Sequence, residues 1–503
     1  MPSNSPHWPA ADFRARGHQL IDWLADYWSR LQSHDPALPV LSRSKPGEVV
    51  ALLPTAAPEK SGAWDDIWAD FQRHILPGVT HWQAPGFFAF FPCNGSPPAV
   101  LADLLSTGLG VQGMLWITSP ACTELETRVA DWTAQLLGLP ERFLSISADG
   151  AAAGSSQGGG VIQSTASEAA LCALVAARKR AGLPARPVVY ASAQAHSSIV
   201  KAAMIAGIAR GPDDRESVRL IDVDEHHALK PDALRAALAA DRAAGRTPIF
   251  ICATLGTTGC LGFDDVAKIA AVVNESGSAS SPRPWLHIDA AFAGSACVCP
   301  EHRWMLRGVE HADSFCFNPH KWLLTSFDCS LFYVADRRSL TDALSITPEY
   351  LRNTAPGAQS VTDYRDWQVP LGRRFRALKL WFVLRSYGAE GLRAHITRHC
   401  RLADQFASLI AADPKARFEL PVQREHGLPL IVFRLREPHA DPAARDAANL
   451  ALMHAANAGG RIYLSHTVLP DRSVVLRLAV GGTHTAEADI HAAWEILSAA
   501  AAR

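Results

Sequence analysis

A chain of 503 residues is too long for one hydrophobic core and suits two or three domains. Its hydrophobic fraction of 48% indicates a globular protein. Because 48 basic residues nearly balance 49 acidic residues, neither nucleic acid nor an anionic membrane is an expected partner, and a small metabolite is the better hypothesis.

Three further features bear on location and on metal binding. The first residues lack a basic stretch followed by an apolar run, and no apolar run of about 18 residues occurs, so we expect neither a secretory signal nor a membrane span. The ten cysteines are scattered, which favours free thiols and a cytoplasmic location. Cys297, Cys299 and His302 form one tight group, but no second ligand pair at zinc-like spacing accompanies them, so no metal is expected.

The N-terminal part begins with one amphipathic helix, which we predict over residues 12–31. Its apolar residues recur at steps of three and four and therefore share one face: Phe13, Leu20, Ile21, Leu24, Trp28 and Leu31. The stretch that follows, to about residue 90, is rich in proline and tryptophan. Such a proline-broken segment cannot form a core alone, so we expect it to wrap around its own large domain or a second subunit.

From about residue 100 the pattern alternates between helices and short apolar runs. Ser119 and Pro120 open a helix with a capping residue and a first-position proline, and Gly138 ends it. The apolar runs lie at 188–191, 249–253, 285–288, 314–317 and 329–334. Short buried runs between helices predict a largely parallel sheet covered on both faces, with ligands at the carboxyl ends of its strands.

A third region begins near residue 379 and reads as a small α+β domain. It is helical to about residue 402, with a break predicted near Gly388 and Gly391. Apolar strands are predicted around 430–433, 462–464 and 474–478, and a helix closes the chain.

The stretch 162–168 is the first whose residues suggest a binding or catalytic role. Thr165 and Glu168 have the spacing of a helix capping box, and the plainest interpretation is a helix start. The alternative is that the amides and hydroxyls of this first turn hold a phosphate. The glycines at 158–160 lack the Gly-x-Gly-x-x-Gly spacing of a dinucleotide fold.

Two polar residues that follow buried runs indicate catalysis. Asp289 follows the run 285–288, where an acid often caps a turn but can also keep the ring nitrogen of pyridoxal phosphate (PLP) protonated. Lys321 follows the run 314–317 and stands beside His320. Most lysines are solvated surface groups, but burial at this position would lower the pKa of Lys321 and favour the neutral amine that attacks a carbonyl.

Six motifs together resemble one family. They are Thr-Glu-Leu-Glu at 123–126, Gln-Ala-His-Ser-Ser at 194–198, Ala-Thr-Leu-Gly-Thr-Thr at 253–258, His-Ile-Asp-Ala-Ala at 287–291, Phe-Asn-Pro-His-Lys-Trp at 317–322, and Asp-Tyr-Arg-Asp-Trp-Gln-Val-Pro-Leu-Gly-Arg-Arg-Phe-Arg at 363–376. Their types and order resemble the group II PLP-dependent decarboxylases, specifically the aromatic-L-amino-acid decarboxylases, from about residue 10 to the C-terminus.

The resemblance implies a fold and an assembly. The expected fold is the PLP-dependent transferase-like fold type I, an α/β fold with a mostly parallel seven-stranded sheet in the large domain. Residues 1–96 are expected to form an N-terminal helical arm that wraps the partner in a homodimer. Residues 97–378 are expected to form the large PLP-binding domain, and residues 379–503 a small C-terminal α+β domain.

The resemblance also implies roles in the cofactor site. Lys321 is expected to bind PLP covalently, and Asp289 to pair with its pyridinium nitrogen. His196 is expected to stack on the ring, with Thr258 and Ala291 close to it. The residues expected around the phosphate are Ala166, Ser167, Asn318 and His320.

The resemblance also implies a substrate pocket. The residues expected to line it are Trp82, Phe90, Phe91, Pro92, Cys93, Gln112, Met114, His196 and Gly372. Its aromatic residues could simply fill the core, but an aromatic wall favours a flat apolar side chain over a carboxylate. Gln112 and Met114 are expected to come from the partner subunit, which places the active site at the interface, and Gln112 could bind an indole N–H or a ring hydroxyl. Gly372 leaves room for a ring larger than histidine, so Trp, Phe, Tyr and dihydroxyphenylalanine remain open.

The sequence therefore predicts a carboxy-lyase that converts an aromatic L-amino acid to its arylalkylamine and carbon dioxide. The resemblance assigns proton donation to Tyr350, in a loop of about 344–362 with little apolar periodicity. One alternative is an oxidative aromatic aldehyde synthase on the same scaffold. Another is a non-catalytic protein that binds PLP or a partner, against which the intact Lys321, Asp289 and His196 argue.

Overall fold

The N-terminal segment of the computed structural model is a series of helices joined by irregular chain. The structure describes residues 7–146, 156–278, 282–346, 361–424, 426–436 and 441–502. The helices of this segment are α1 (Ala10–Gln32), α2 (Glu48–Ala51), α3 (Trp64–Asp70) and α4 (Pro97–Leu109). Helix α1 confirms the helix predicted from the apolar spacing.

A mixed sheet of seven strands carries the largest core. Its strands are β1 (Gly159–Gln163), β2 (Pro187–Ser192), β3 (Val218–Ile221), β4 (Thr247–Thr254), β5 (Trp285–Asp289), β6 (Ser314–Phe317) and β7 (Ser330–Val334). They stand in the order β1-β7-β6-β5-β4-β2-β3. Strands β2 to β6 pair in parallel, whereas β7 is antiparallel to both β1 and β6. The predicted mostly parallel seven-stranded sheet is therefore confirmed.

Helices cover both faces of this sheet, which is why most of its strands are buried along their whole length rather than at alternate residues. They are α5 (Pro120–Leu137), α6 (Ala166–Arg180), α7 (Ser198–Ile205), α8 (Pro231–Ala243), α9 (Val266–Glu275), α10 (Pro319–Trp322) and α11 (Arg337–Leu344). Helix α5 begins and ends where the sequence predicts, because the Ser119 hydroxyl accepts a hydrogen bond from the Cys122 N–H and Gly138 takes the left-handed conformation.

A second sheet lies in the C-terminal part of the chain and is antiparallel. Its strands β8 (Phe418–Glu419), β9 (Leu430–Leu435), β10 (Ser465–Val468) and β11 (Val474–Ala479) stand in the order β10-β11-β9-β8. Helices α12 (Arg376–Ala411), α13 (Pro442–Ala458) and α14 (Glu487–Ala500) accompany it. Helix α12 is interrupted at Gly388 (φ 60°, ψ 179°), which confirms the predicted break.

The run 462–464 was predicted as a strand, and that prediction was wrong by a few residues. The strand begins at Ser465, whereas Tyr463 forms an isolated bridge with Phe87. The Phe88 N–H donates to the Tyr463 carbonyl at 2.9 Å, and the Ala479 N–H donates to the Phe88 carbonyl at 2.9 Å. The end of the proline- and tryptophan-rich segment is thus attached to the small sheet. None of the helices in the described part of the chain combines the length and the apolar character of a membrane-spanning helix.

Candidate active site

The carboxyl ends of the central strands and the first turns of α6 and α10 enclose a cavity of about 210 Å³. This is where parallel α/β sheets bind ligands. All nine residues expected around the cofactor line it: Ala166, Ser167, His196, Thr258, Asp289, Ala291, Asn318, His320 and Lys321. They come from distant parts of the sequence, and the fold brings them to one place.

Lys321 lies on α10 with its Nζ 5.4 Å from the centroid of the Phe91 ring. Burial lowers the pKa of the Lys321 amine, and the nearby Asp289 carboxylate opposes that effect. Asp289 ends β5, is 7% exposed, and accepts a hydrogen bond from the Ala291 N–H at 3.0 Å. The cavity therefore contains a lysine poised toward its neutral form and a carboxylate that is held in place.

Two histidines line the cavity, and in each a backbone N–H group that donates to Nδ1 fixes the same tautomer. The Nδ1 atom of His196 accepts a hydrogen bond from the Ser198 N–H at 3.2 Å. The Nδ1 atom of His320 accepts one from the Cys329 N–H at 3.0 Å. Burial lowers the pKa of His196, and burial together with Lys321 lowers the pKa of His320 to about 3. Each ring is therefore neutral near pH 7, and its proton is on Nε2.

The start of α6 fits an anion. No side chain caps this helix end, so the N–H groups of Ala166 and Ser167 remain available, whereas the Glu168 N–H donates to the Thr165 carbonyl at 3.0 Å. The helix start predicted from the capping-box spacing is confirmed, because α6 begins at Ala166, but the capping box itself does not form. The Glu168 carboxylate instead accepts hydrogen bonds from the N–H and the hydroxyl of Ser164, at 3.1 and 2.6 Å. Glu168 therefore fixes the loop before the helix and leaves the first turn open.

Two buried polar atoms at the cavity have no partner within the described structure. They are the Asn318 Oδ1 atom and the Thr254 Oγ1 atom. Buried polar atoms are usually hydrogen-bonded, so unpaired ones at a cavity indicate a polar ligand. An uncapped helix start, a lysine, a carboxylate and two neutral imidazoles suit a group with a phosphate, an aldehyde and a basic ring nitrogen. The residues present therefore fit PLP.

The residues expected in the substrate pocket divide into two groups. Phe91 lines the cavity and stacks on Phe292 with ring centroids 3.9 Å apart. The others of its segment are close in sequence but absent from the cavity wall in the part of the chain that the structure describes: Trp82, Phe90, Pro92 and Cys93. The Trp82 and Phe90 rings stack at 5.9 Å and are partly exposed, whereas Pro92 packs against Gly481.

The second group lies away from this chain's own cavity. The Gln112 Oε1 atom accepts a hydrogen bond from the Arg373 N–H at 3.3 Å, next to Gly372. The Met114 carbonyl accepts one from the Arg365 N–H at 3.1 Å. Gln112, Met114 and Gly372 therefore form one patch. Residues that line the pocket of a neighbouring subunit would be placed in this way, and that role stays a prediction.

Thr165, which the sequence offered as part of a possible phosphate-binding turn, also lines the cavity, whereas four lining residues were not assigned to the site: Ser198, Thr254, Gly256 and Phe292. Thr254 ends β4, and polar residues at such positions are a usable signal. Phe292 gives no such signal, because an aromatic residue beside an apolar run reads as core. Tyr350 and most of its loop lie outside the described residues. Among the described residues no group of metal ligands forms, including around Cys297.

The chain is similar to known proteins along most of its length. The family model of the pyridoxal-dependent decarboxylase conserved domain matches residues 46–436. The chain is 46% identical to tryptophan decarboxylase 2 of Oryza sativa subsp. japonica, with 97% of this chain and 94% of that protein covered. It is 44% identical to phenylacetaldehyde synthase of Arabidopsis thaliana, with 96% and 94% covered.

Its fold is similar to that of a crystal structure of Oryza sativa TDC with PLP and tryptamine. The TM-score is 0.90 at 39% identity, and 100% of this chain and 99% of that chain are covered. The likeness confirms the predicted PLP-dependent fold type I. A family match across most of the chain, relatives far above 30% identity and a cavity that fits the cofactor agree. The chain therefore belongs to the family of pyridoxal-dependent decarboxylases.

Proposed function

We propose that the protein decarboxylates an aromatic L-amino acid, with uptake of one proton and release of the arylalkylamine and carbon dioxide. The observation that carries this proposal is the meeting of Lys321 and Asp289 in one cavity beside the aromatic ring of Phe91. The similarity to a tryptophan decarboxylase along nearly the whole chain supports an aromatic substrate. Trp, Phe, Tyr and dihydroxyphenylalanine are all candidates.

Different residues of the chain are proposed to bind different parts of the cofactor. Lys321, whose burial lowers the pKa of its amine and so favours the neutral form, would hold the cofactor through its Nζ atom. The N–H groups at the start of α6, the side-chain N–H of Asn318 and the Nε2–H group of His320 would bind the phosphate. Asp289 would keep the ring nitrogen protonated. When bound, PLP supplies an electron-withdrawing ring that takes up the electron pair left by the departing carbon dioxide.

Other residues are proposed to orient the cofactor ring and to donate the proton to the substrate. The Nε2–H group of His196 faces the cavity because Nδ1 is committed to the Ser198 N–H. The His196 ring is suited to stack on the cofactor, and its Nε2–H group is suited to donate a hydrogen bond to a water molecule or to the substrate carboxylate. Tyr350, outside the described residues, is the proposed acid that gives the substrate Cα its proton.

We propose a homodimer as the active unit, with each site completed by its partner. Helix α4 exposes a row of leucines that nothing in the described chain covers: Leu101, Leu104, Leu105 and Leu109. A row of large exposed apolar side chains is typical of an interface. The patch of Gln112, Met114 and Gly372 follows α4 in the fold and lies away from its own cavity, so it is free to serve the partner.

Two further proposals concern organisation and location. Residues 1–96, 97–378 and 379–503 are proposed as arm, large domain and small domain, with the second boundary inside α12. A reducing compartment such as the cytoplasm suits the ten cysteines, all of which are unpaired thiols and most of which are buried.

The direct test is an amino-acid panel with detection of carbon dioxide and product. We expect turnover of at least one aromatic L-amino acid, and turnover of glutamate at least about a hundredfold lower, because a desolvated charge without a partner costs several kcal/mol. We expect histidine to be turned over less well too, because Gly372 leaves room for a larger ring. Borohydride reduction and peptide mapping should then find the pyridoxyl group on Lys321. Comparable turnover of glutamate, or label on another lysine, would refute the proposal.

A second candidate is an oxidative aldehyde synthase, which the similarity to a phenylacetaldehyde synthase favours. That reaction consumes the amino acid, oxygen and water and releases aldehyde, carbon dioxide, ammonia and hydrogen peroxide. Peroxide measured in the same panel separates the two candidates. Amine without peroxide supports the decarboxylase, and stoichiometric peroxide supports the synthase.

A further inference from the structure

Arg477 is a buried cation on β11 without an acidic partner. Its side chain is 3% exposed, and no carboxylate lies within ion-pair distance of it in the described residues. Burial lowers its pKa to about 10, and its Nη2 atom has no hydrogen-bond partner. A buried guanidinium in this state is costly, so its presence calls for a role that a neutral side chain could not fill.

The guanidinium of Arg477 joins two walls of the candidate active site. Its Nε–H donates to the carbonyl of Gly259, the residue after the cavity residue Thr258, at 3.2 Å. Its Nη1–H donates to the Ser465 hydroxyl at 3.0 Å. That hydroxyl oxygen in turn accepts a hydrogen bond from the Phe90 N–H at 3.1 Å.

The wall formed by Phe90 and Phe91 needs the support that Arg477 gives through Ser465. Phe90 has a φ of 54°, in the left-handed region that a bulky residue adopts only when its surroundings impose it. The next residue, Phe91, presents its ring to the cavity. The Arg477 guanidinium carbon lies 5.3 Å from the centroid of that ring, and Lys321 Nζ lies 5.4 Å from the same centroid.

We infer that Arg477 is a positioning residue, which uses its planar fork to hold the Phe90–Phe91 wall and the Thr258–Gly259 wall in register from the small sheet. The inference rests on the proposed function, because it concerns the pocket of that reaction. Arginine suits the task because two of its donors point at fixed angles to two acceptors on different segments. The small sheet thereby determines the shape of a pocket that the large sheet mainly builds.

The positive charge of Arg477 has a second consequence, for Lys321. The charged and titratable groups around Lys321 are Asp289, Cys316, His196, His320 and Arg477. Asp289 favours the ammonium form of Lys321, whereas Arg477 disfavours it. Loss of the Arg477 charge therefore shifts Lys321 toward the ammonium, and loss of its hydrogen bonds alone does not.

Three variants separate the hydrogen bonds from the charge. Ser465→Ala removes only the link to Phe90. Arg477→Lys keeps the charge but loses the fork, and Arg477→Met loses both while keeping an unbranched apolar chain. Arg434→Met is the matched control, because Arg434 lies on the neighbouring strand β9 and pairs with Glu419 at 2.5 Å, away from the cavity.

The first readout is steady-state kinetics with two aromatic amino acids of different ring size. We expect Ser465→Ala and both Arg477 variants to raise KM about tenfold and to change the ratio of kcat/KM between the two substrates. A merely structural role would lower the active fraction, and hence the apparent kcat, but leave KM and that ratio unchanged. Wild-type KM and ratio in soluble Ser465→Ala and Arg477→Lys proteins would overturn the inference, even if Arg477→Met failed to fold.

The second readout needs no catalysis. In the cofactor-free protein, the rate at which Lys321 reacts with an amine-directed reagent is followed against pH by peptide mapping. We expect the midpoint for Arg477→Met to rise, and those for Arg477→Lys, Ser465→Ala and Arg434→Met to stay at the wild-type value. An unchanged midpoint in Arg477→Met would refute the electrostatic part. A wild-type protein that turns over no aromatic amino acid would refute the proposed function instead, and this readout would still test Arg477.

Discussion

The imidazole of His320 accepts a hydrogen bond from the backbone N–H of Cys329, so the proton of the neutral ring is on Nε2, at the cavity. Burial, reinforced by Lys321, lowers the pKa of His320 to about 3. Burial also lowers the pKa of His287, on β5, to about 4. These rings remain neutral in the folded protein at any pH at which the enzyme is expected to work.

We predict that the protein loses stability in mild acid because of these buried rings. Below pH 6.5 the unfolded chain binds a proton on each histidine, whereas the folded chain does so only near pH 3 to 4. Stability is therefore complete above pH 6.5 and falls as pH drops below it, by about 2 kcal/mol per histidine at pH 5. Urea unfolding at pH 7.5 and pH 5 measures the loss, and His287→Gln should reduce it. An equal loss in wild type and variant would contradict the prediction.

We predict that Asp289→Asn retains the cofactor but loses most activity. The amide keeps the size of the side chain and its contact with the Ala291 N–H, yet it removes the charge that would keep the ring nitrogen protonated. A pair of opposite charges about 4 Å apart is worth about 4 kcal/mol at an effective dielectric near 20, or about a thousandfold in kcat. Asp289→Glu is the control that keeps the charge. An Asn variant within tenfold of wild type would refute this role.

The residues that could be predicted from the sequence are those whose chemistry conflicts with their surroundings. Asp289 ends a buried strand and Lys321 lies a few residues beyond another, where a charge is unusual enough to suggest a function. The end of each parallel strand also meets its neighbours at one edge, so local patterns along the sequence could predict a shared cavity. That reasoning accounts for the large sheet and the cofactor residues.

The remainder of the site could not be predicted because its residues look like ordinary core. Arg477 stands within the apolar run 474–478 and was read only as part of a strand. Phe292 follows the Asp289 motif without a polar signal. Strand β1 begins with two glycines, which favour a turn over a strand, and β3 is a short edge strand with a half-buried Arg219. Their positions depend on tertiary packing, which a local pattern does not encode.

We predict that Gly372→Ser alters substrate choice. An added Cβ at residue 372 would lie 3.3 Å from the Gln112 Oε1 atom, so the serine must displace or bind that amide. The altered amide would narrow the proposed pocket, and we expect kcat/KM for tryptophan to fall about tenfold relative to phenylalanine. Gly211→Ser is the control, because nothing lies within 4 Å of its added Cβ. An unchanged ratio would remove Gly372 and Gln112 from the pocket.

We predict that Leu105→Glu produces an inactive monomer. Leu105 on α4 is 49% exposed in the single chain, and a charge buried without a partner at an interface costs several kcal/mol. That cost weakens association by about a hundredfold or more. Sedimentation velocity across a dilution series measures it, and Leu183→Glu, a change of a similarly exposed loop leucine, is the control. A wild-type protein that is a fully active monomer would refute both this prediction and the proposed dimer.

The last prediction concerns Tyr350, which lies outside the described residues and whose role rests on the family resemblance. After carbon dioxide leaves, the substrate Cα needs a proton, and dissolved oxygen competes for the same electron pair. Tyr350→Phe removes only the hydroxyl, which should slow protonation by about a hundredfold, as is typical for a lost general acid.

We therefore expect the variant to consume the amino acid still, but to release aldehyde, ammonia and hydrogen peroxide in place of much of the amine. The measurement is the ratio of amine to peroxide in air, with an assay under nitrogen as the control, because peroxide cannot form there. A variant that yields only amine at the wild-type rate would show that Tyr350 is not the donor. The Nε2–H group of His196, which the Ser198 N–H turns toward the cavity, would then be the next candidate.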